Sequence, residues 1–115
     1  MTAHLYHIAP EHEFRKSIGA GPYVPDGFAR EGFIHCSYHR QLLEVANRIF
    51  GGRTDLAIVE IDPTRLRVPV VDENLEGGTE QYPHVYGPID PDAVVDIHPL
   101  EARADTFVLP HELKG

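Results

Sequence analysis

A chain of 115 residues, 42% apolar and 24% charged, has room for one hydrophobic core and not for two. Ten Lys and Arg against eighteen Asp and Glu leave a net charge of −8, which sets the chain against DNA, RNA and anionic membrane surfaces. No apolar stretch approaches a membrane span, no secretory leader opens the chain, and the single cysteine, Cys36, excludes internal disulfides and four-cysteine zinc sites, so a cytoplasmic domain is expected.

In chain order, Leu5-Tyr6-His7-Ile8-Ala9 reads as a first strand, with Leu5 and His7 on one face and Tyr6 and Ile8 on the other. Pro10 suits the first turn of a short helix whose N-terminal dipole favours Glu11 and Glu13. Phe14 and Ile18 form its buried stripe and Gly19 ends it. Residues 33–36 are a second strand, and Ser37 caps the longest helix, with Leu42, Leu43, Ala46, Ile49 and Phe50 as its apolar face and Gly51 as its stop. Residues 56–61 are nearly all apolar, the pattern of a central strand covered on both faces. Residues 62–66 read as a turn or a single helical turn. Pro69 assigns a strand at 68–71 to a sheet edge. A polar loop follows at 72–83, then short strands at 85–86 and 93–97. The expectation is a single α+β domain over 1–115, with a mixed or antiparallel sheet and about two helices. Its core spans about 4–100, and 101–115 reads as a tail.

Eight histidines in 115 residues are the compositional oddity. His7 and His35 each sit inside an apolar strand, where a half-satisfied imidazole is costly to bury. By alternation His35 shares a face with Phe33 and Ser37, so neighbouring strands would bring His7, His35 and Ser37 to one cleft. The competing explanation is two core histidines, each bonded to backbone. His84 lies in Tyr82-Pro83-His84-Val85-Tyr86-Gly87-Pro88, where flanking prolines suit either a ring held against a ligand or a stiff, aromatic-packed loop. His4 and His7 fall on opposite strand faces, and His35 and His39 straddle a strand-to-helix boundary, so neither forms a helical zinc pair; a metal site needs tertiary convergence and none is expected. Cys36 is turned away from His35 by alternation and reads as a small buried hydrophobe. Gly19-Ala20-Gly21-Pro22 is a turn and not a phosphate-cradling loop. Glu73, Glu76 and Glu80 read as solvated loop acids, one of them a candidate catalytic carboxylate.

Three segments, Glu31-Gly32-Phe33-Ile34-His35-Cys36-Ser37, Ala46-Asn47-Arg48 and Tyr82-Pro83-His84-Val85-Tyr86-Gly87-Pro88-Ile89, resemble the motifs of the bacterial domain-of-unknown-function family 952. The opening at Leu5 to Ala9 is similar to that family's start, and Tyr82 and Phe14 stand where phenylalanine and tryptophan are usual. The resemblance implies an ADP-ribosyltransferase-like fold, a split pair of small sheets around a cleft, with NAD as co-substrate. It also implies transfer of ADP-ribose or a reaction like that of RNA 2′-phosphotransferases. By the same resemblance His7, His35 and His84 form the catalytic set. His7 and Ser37 hold ribose hydroxyls, while His35 and Tyr86 enclose the nicotinamide ring. The late glutamate of such transferases has no counterpart in the motif, leaving Glu73, Glu76 and Glu80 as the nearest acids. Two alternatives stand beside this reading: a non-catalytic module for a nucleotide or small metabolite, and a metal-dependent hydrolase using His35, His84 and an acid.

Overall fold

The computed structural model describes residues 3–113, with Glu76 and Asp105 left out. The apolar run at 56–61 becomes β3 (Leu56–Ile61), flanked antiparallel by β1 (Leu5–Pro10) and β6 (Val94–Pro99). Both of its faces are covered. Val59 and Ile61 join Leu5, Phe14, Ile34 and Val85 in one core, while Leu56 and Ile58 join Tyr6, Ile8, Leu42 and Ala46 in the other. Chain order places α1 (Glu11–Ala20) and the one-turn α2 (Phe28–Glu31) before β2 (Ile34–His35), and α3 (His39–Phe50) after it.

A second antiparallel sheet has the order β2-β5-β4, with β4 (Val70–Glu73) at its edge and β5 (Tyr82–Val85) central. The two sheets meet where Tyr6 and Ser37 exchange two backbone hydrogen bonds of 2.8 Å. That bridge sets the first two histidine strands side by side although they belong to different sheets. All described strand pairs are antiparallel, so the mixed alternative falls away. No described helix is long and apolar enough to cross a membrane.

Several local expectations are corrected. The first helix runs through Gly19 to Ala20, because Gly21, at φ 146°, is the residue that leaves helical geometry. Ser37 does not cap α3, since its backbone is committed to Tyr6. Tyr38 is the cap, and its N–H donates to Gln41 Oε1 at 2.9 Å. The stripe of α3 is rotated from its expected line: Gln41 and Val45 are buried, whereas Leu43 and Ile49 are exposed. The segment expected as a tail folds onto the domain in its described residues, 101–104 and 106–113. The hairpin β7 (Glu101–Arg103) and β8 (Thr106–Val108) drives Phe107 into the α3 core, and Leu113 follows it there. The chain also turns through a helical turn at Pro63–Arg65, as the Asp62-Pro63 signal implies.

Glu60, near the end of the central strand, gathers a charged cluster. His4 Nδ1 and His98 Nε2 donate to the two Glu60 oxygens at 2.6 and 2.9 Å. Against the upward push of burial, these bonds from His98 and His4 hold the Glu60 carboxyl below its ordinary range.

Among the described glycines, Gly87 leaves the least room for a side chain. A Cβ there would lie 2.8 Å from Val68 Cβ and overlap its methyls. Gly87→Ala therefore destabilises the protein by about 1–3 kcal/mol through overpacking. Urea unfolding checks this, and combining it with Val68→Ala costs less than the two single changes added together.

Candidate functional site

The junction of the two sheets leaves a cleft of about 400 Å³ between β1, β2, the second half of α3 and the start of the loop after β4. His35 and His84 are register partners on β2 and β5, so the pleat aims both rings to one side, with centroids 5.2 Å apart at 78°. Phe33, two residues before His35, stacks on His84 at 4.2 Å and 20° and meets His35 edge-on at 4.7 Å. The alternation that turns Phe33, His35 and Ser37 toward the cleft turns Ile34 and Cys36 into the core. Burial there pushes the Cys36 thiol up to about 12, which makes it an inert apolar group.

His35 and His84 are each anchored by a carboxylate. His35 Nε2 donates to Glu31 Oε2 at 2.7 Å, and His84 Nδ1 donates to Glu73 Oε1 at 2.9 Å. Glu73 also accepts the Tyr86 hydroxyl. The bond from His35 holds the Glu31 carboxyl low, and the bonds from Tyr86 and His84 do the same for Glu73. Both carboxyls are therefore ionised at neutral pH and serve only as acceptors, which fixes the proton of His84 on Nδ1. Among the described residues, the opposite atoms, His84 Nε2, His35 Nδ1 and Ser37 Oγ, have no hydrogen-bond partner; those of His84 and Ser37 are therefore not sealed from solvent, and all three residues line the cleft.

His7 also lines the cleft, in a different condition. Its Nδ1 donates to the His35 carbonyl at 2.7 Å, and its Nε2 accepts from the Tyr23 hydroxyl at 3.0 Å. Burial lowers its pKa to about 4, so the ring is neutral. Both nitrogens being taken, His7 is a strut that ties β1 to β2 and to Tyr23, and it offers a ligand no polar atom.

The other expected site residues separate cleanly. Ser37 lines the cleft. Tyr86 does not; it packs behind Phe33, with ring centroids 5.4 Å apart, and reaches the site only through Glu73. Among the loop acids, Glu73 lines the cleft as the last residue of β4, whereas Glu80 is held outside by Arg40 and Gln41. Glu76 lies outside the described residues. Glu31 is a site residue that the sequence reading missed. Its only local signal is a position four residues before His35, at the end of a helical turn that residues 28–31 do not advertise. Among the described residues, no three His, Cys, Asp or Glu side chains converge as metal ligands.

Two crystal structures and a solution structure bear on the fold. The X-ray structure of protein CC0527 from Caulobacter crescentus, a structural-genomics target, is similar with a TM-score of 0.82 and 26% identity, covering 96% of this chain and 97% of that one. A double mutant of the same protein matches with a TM-score of 0.82 at 25% identity. Its solution NMR structure matches with a TM-score of 0.78 at 25% identity, covering 92% and 91%. No curated protein matches the sequence. Residues 8–97 match the family described as "Protein of unknown function (DUF952)", a span that holds Glu31, His35, Ser37, Glu73 and His84, and the chain belongs to that family.

Proposed function

We propose that the cleft binds the planar end of a nucleotide, NAD or a relative of it, and that His35 and His84 move protons there. One observation carries the reading: two imidazoles, each tied at one nitrogen to an ionised carboxylate, line a common cleft. A carboxylate on one ring nitrogen fixes the tautomer and orientation and makes the other nitrogen a better base. The cleft volume lies at the lower end of the range for small-molecule sites, enough for a base and its ribose. Ser37 Oγ is a hydroxyl-sized partner for that sugar. In an ADP-ribosyltransferase-like reaction the bond from the nicotinamide nitrogen to the ribose breaks, and the pair of electrons leaves with nicotinamide. An acceptor hydroxyl then adds to the sugar and loses its proton to an imidazole, while ionised Glu73 stands beside the developing positive charge. An RNA 2′-phosphate substrate fits less well, because the chain carries a net charge of −8 and the cleft holds two carboxylates.

The doubly bonded, neutral His7 favours a second reading, a binding module without turnover, since it adds rigidity and no chemistry. Incubation with NAD separates the two. The transferase reading expects an NAD-dependent rise in Tm together with nicotinamide release, and release disappears in His84→Ala and Glu73→Gln. A rise in Tm without release establishes the binding module. Neither effect at millimolar NAD overturns both readings.

A further inference from the structure

The cleft has two unlike halves. One part of its lining carries the polar groups described above. Its outer wall is apolar and exposed: Ile49 of α3 and Leu75 after β4 are 54% and 60% exposed. They are the two most exposed large apolar side chains among the described residues, and both line this cleft. Scattered apolar residues on a surface are ordinary. Two that line one cavity, together with Val45 and Phe28, give it an apolar portion suited to covering by a ligand.

Charge points the same way. Among the described residues lining the cleft, Arg48 is the one Lys or Arg, and its Nε donates to Glu44 at 2.9 Å. Glu31 and Glu73 set two carboxylates against it. The wall from α3 comes from the second half of that helix, its carbonyl end, and the first residues of α1 and α3 lie outside the lining. An entering phosphate would meet net negative charge, and the one helix start in the described lining, that of the single-turn α2 at Gly27 and Phe28, has the Phe28 N–H already donating to the Pro25 carbonyl at 3.0 Å.

We infer that the cleft takes a phosphate-free ligand, with a planar neutral or cationic head on His35 and His84 and an aryl or alkyl flank against Ile49 and Leu75. The inference rests on the cleft being the ligand site proposed above, and it narrows the class to nucleosides and ring-alkylated heterocycles. Any phosphates of a nucleotide stay outside the mouth.

Titration calorimetry of the full chain with four probes tests this: nicotinamide benzylated on its ring nitrogen, nicotinamide riboside, nicotinamide mononucleotide and ADP-ribose. The benzylated cation binds roughly tenfold or more tighter than the mononucleotide, because its flank buries apolar area and it carries no anion. Ile49→Ser with Leu75→Ser, at exposed positions, removes that advantage and lowers riboside affinity far less. A mononucleotide that binds tighter than the riboside, with the preference lost in Arg48→Ala, makes the mouth a phosphate site. That result overturns the inference and leaves the cleft reading standing. If none of the four probes binds, or if His84→Gln leaves every affinity unchanged, the cleft reading falls and the inference falls with it.

Discussion

Acidification from neutral pH to about 4 lowers the unfolding free energy by about 3 kcal/mol through His7 alone. The sign follows from where the proton prefers to be. An unfolded imidazole binds it below about 6.5, whereas the folded ring does so only below about 4. Between those values the unfolded chain binds more protons, so stability is full above the upper value, declines as pH falls through the window, and stops declining below the lower one. The cause is burial first. A charged ring would sit in an apolar seam, and its second N–H would point at a Tyr23 hydroxyl that now donates to it. His7→Gln retains an amide donor for the His35 carbonyl and an acceptor for Tyr23 but cannot titrate. Urea unfolding followed by circular dichroism should give this variant a shallower pH dependence between 6.5 and 4.5, and an unchanged slope would contradict the assignment. The low carboxyls of Glu31, Glu60 and Glu73 act further down, as pH falls through their depressed folded values, and they are common to both proteins.

Phe33→Ala costs about 3 kcal/mol and also removes ligand binding. The ring is 8% exposed and touches His84, His35 and Tyr86 at once, so truncation empties the centre of the aromatic cluster. Water entering from the adjoining cleft fills part of the space, which keeps the cost at the lower end for a lost phenyl group. Phe33→Leu restores most of the volume and none of the stacking. It should cost about 1 kcal/mol and still weaken ring-benzylated nicotinamide, because His84 loses the face that orients it. Stability comparable to wild type in Phe33→Ala, with binding retained, would show that the cluster does not organise the site.

Much of this architecture was readable from local patterns. The unbroken apolar run of β3, the edge position signalled by Pro69 and the helix over residues 39–50 all follow from periodicity and breakers, which report burial within one segment. Periodicity failed where the deciding partner is distant in the chain. Pro83 reads as a strand breaker, yet it sits within β5, where β2 is only two residues long and its carbonyl accepts from the Cys36 N–H. Phe107 and Leu113 lie in a stretch with no helical or strand periodicity long enough to read, and become core only because the β7–β8 hairpin folds back on α3. The candidate site shows the same limit. His7 and His35 occupy matching apolar strands, and alternation correctly brings both to one cleft. It cannot tell that one ring is bonded at both nitrogens while the side chain of the other is 53% exposed. Nor can it pair His35 with Glu31 or His84 with Glu73, because those contacts depend on a turn and an edge strand that side-chain spacing does not specify.

The most direct measurement is imidazole nitrogen NMR of the uniformly labelled protein during titration with nicotinamide riboside. The expected result is movement of the His84 and His35 ring resonances, with His84 protonated on Nδ1 throughout, while His7, His4 and His98 stay in place. Movement confined to the Glu60 histidines, or no movement of any ring at saturating riboside, would contradict a ligand site built on His35 and His84.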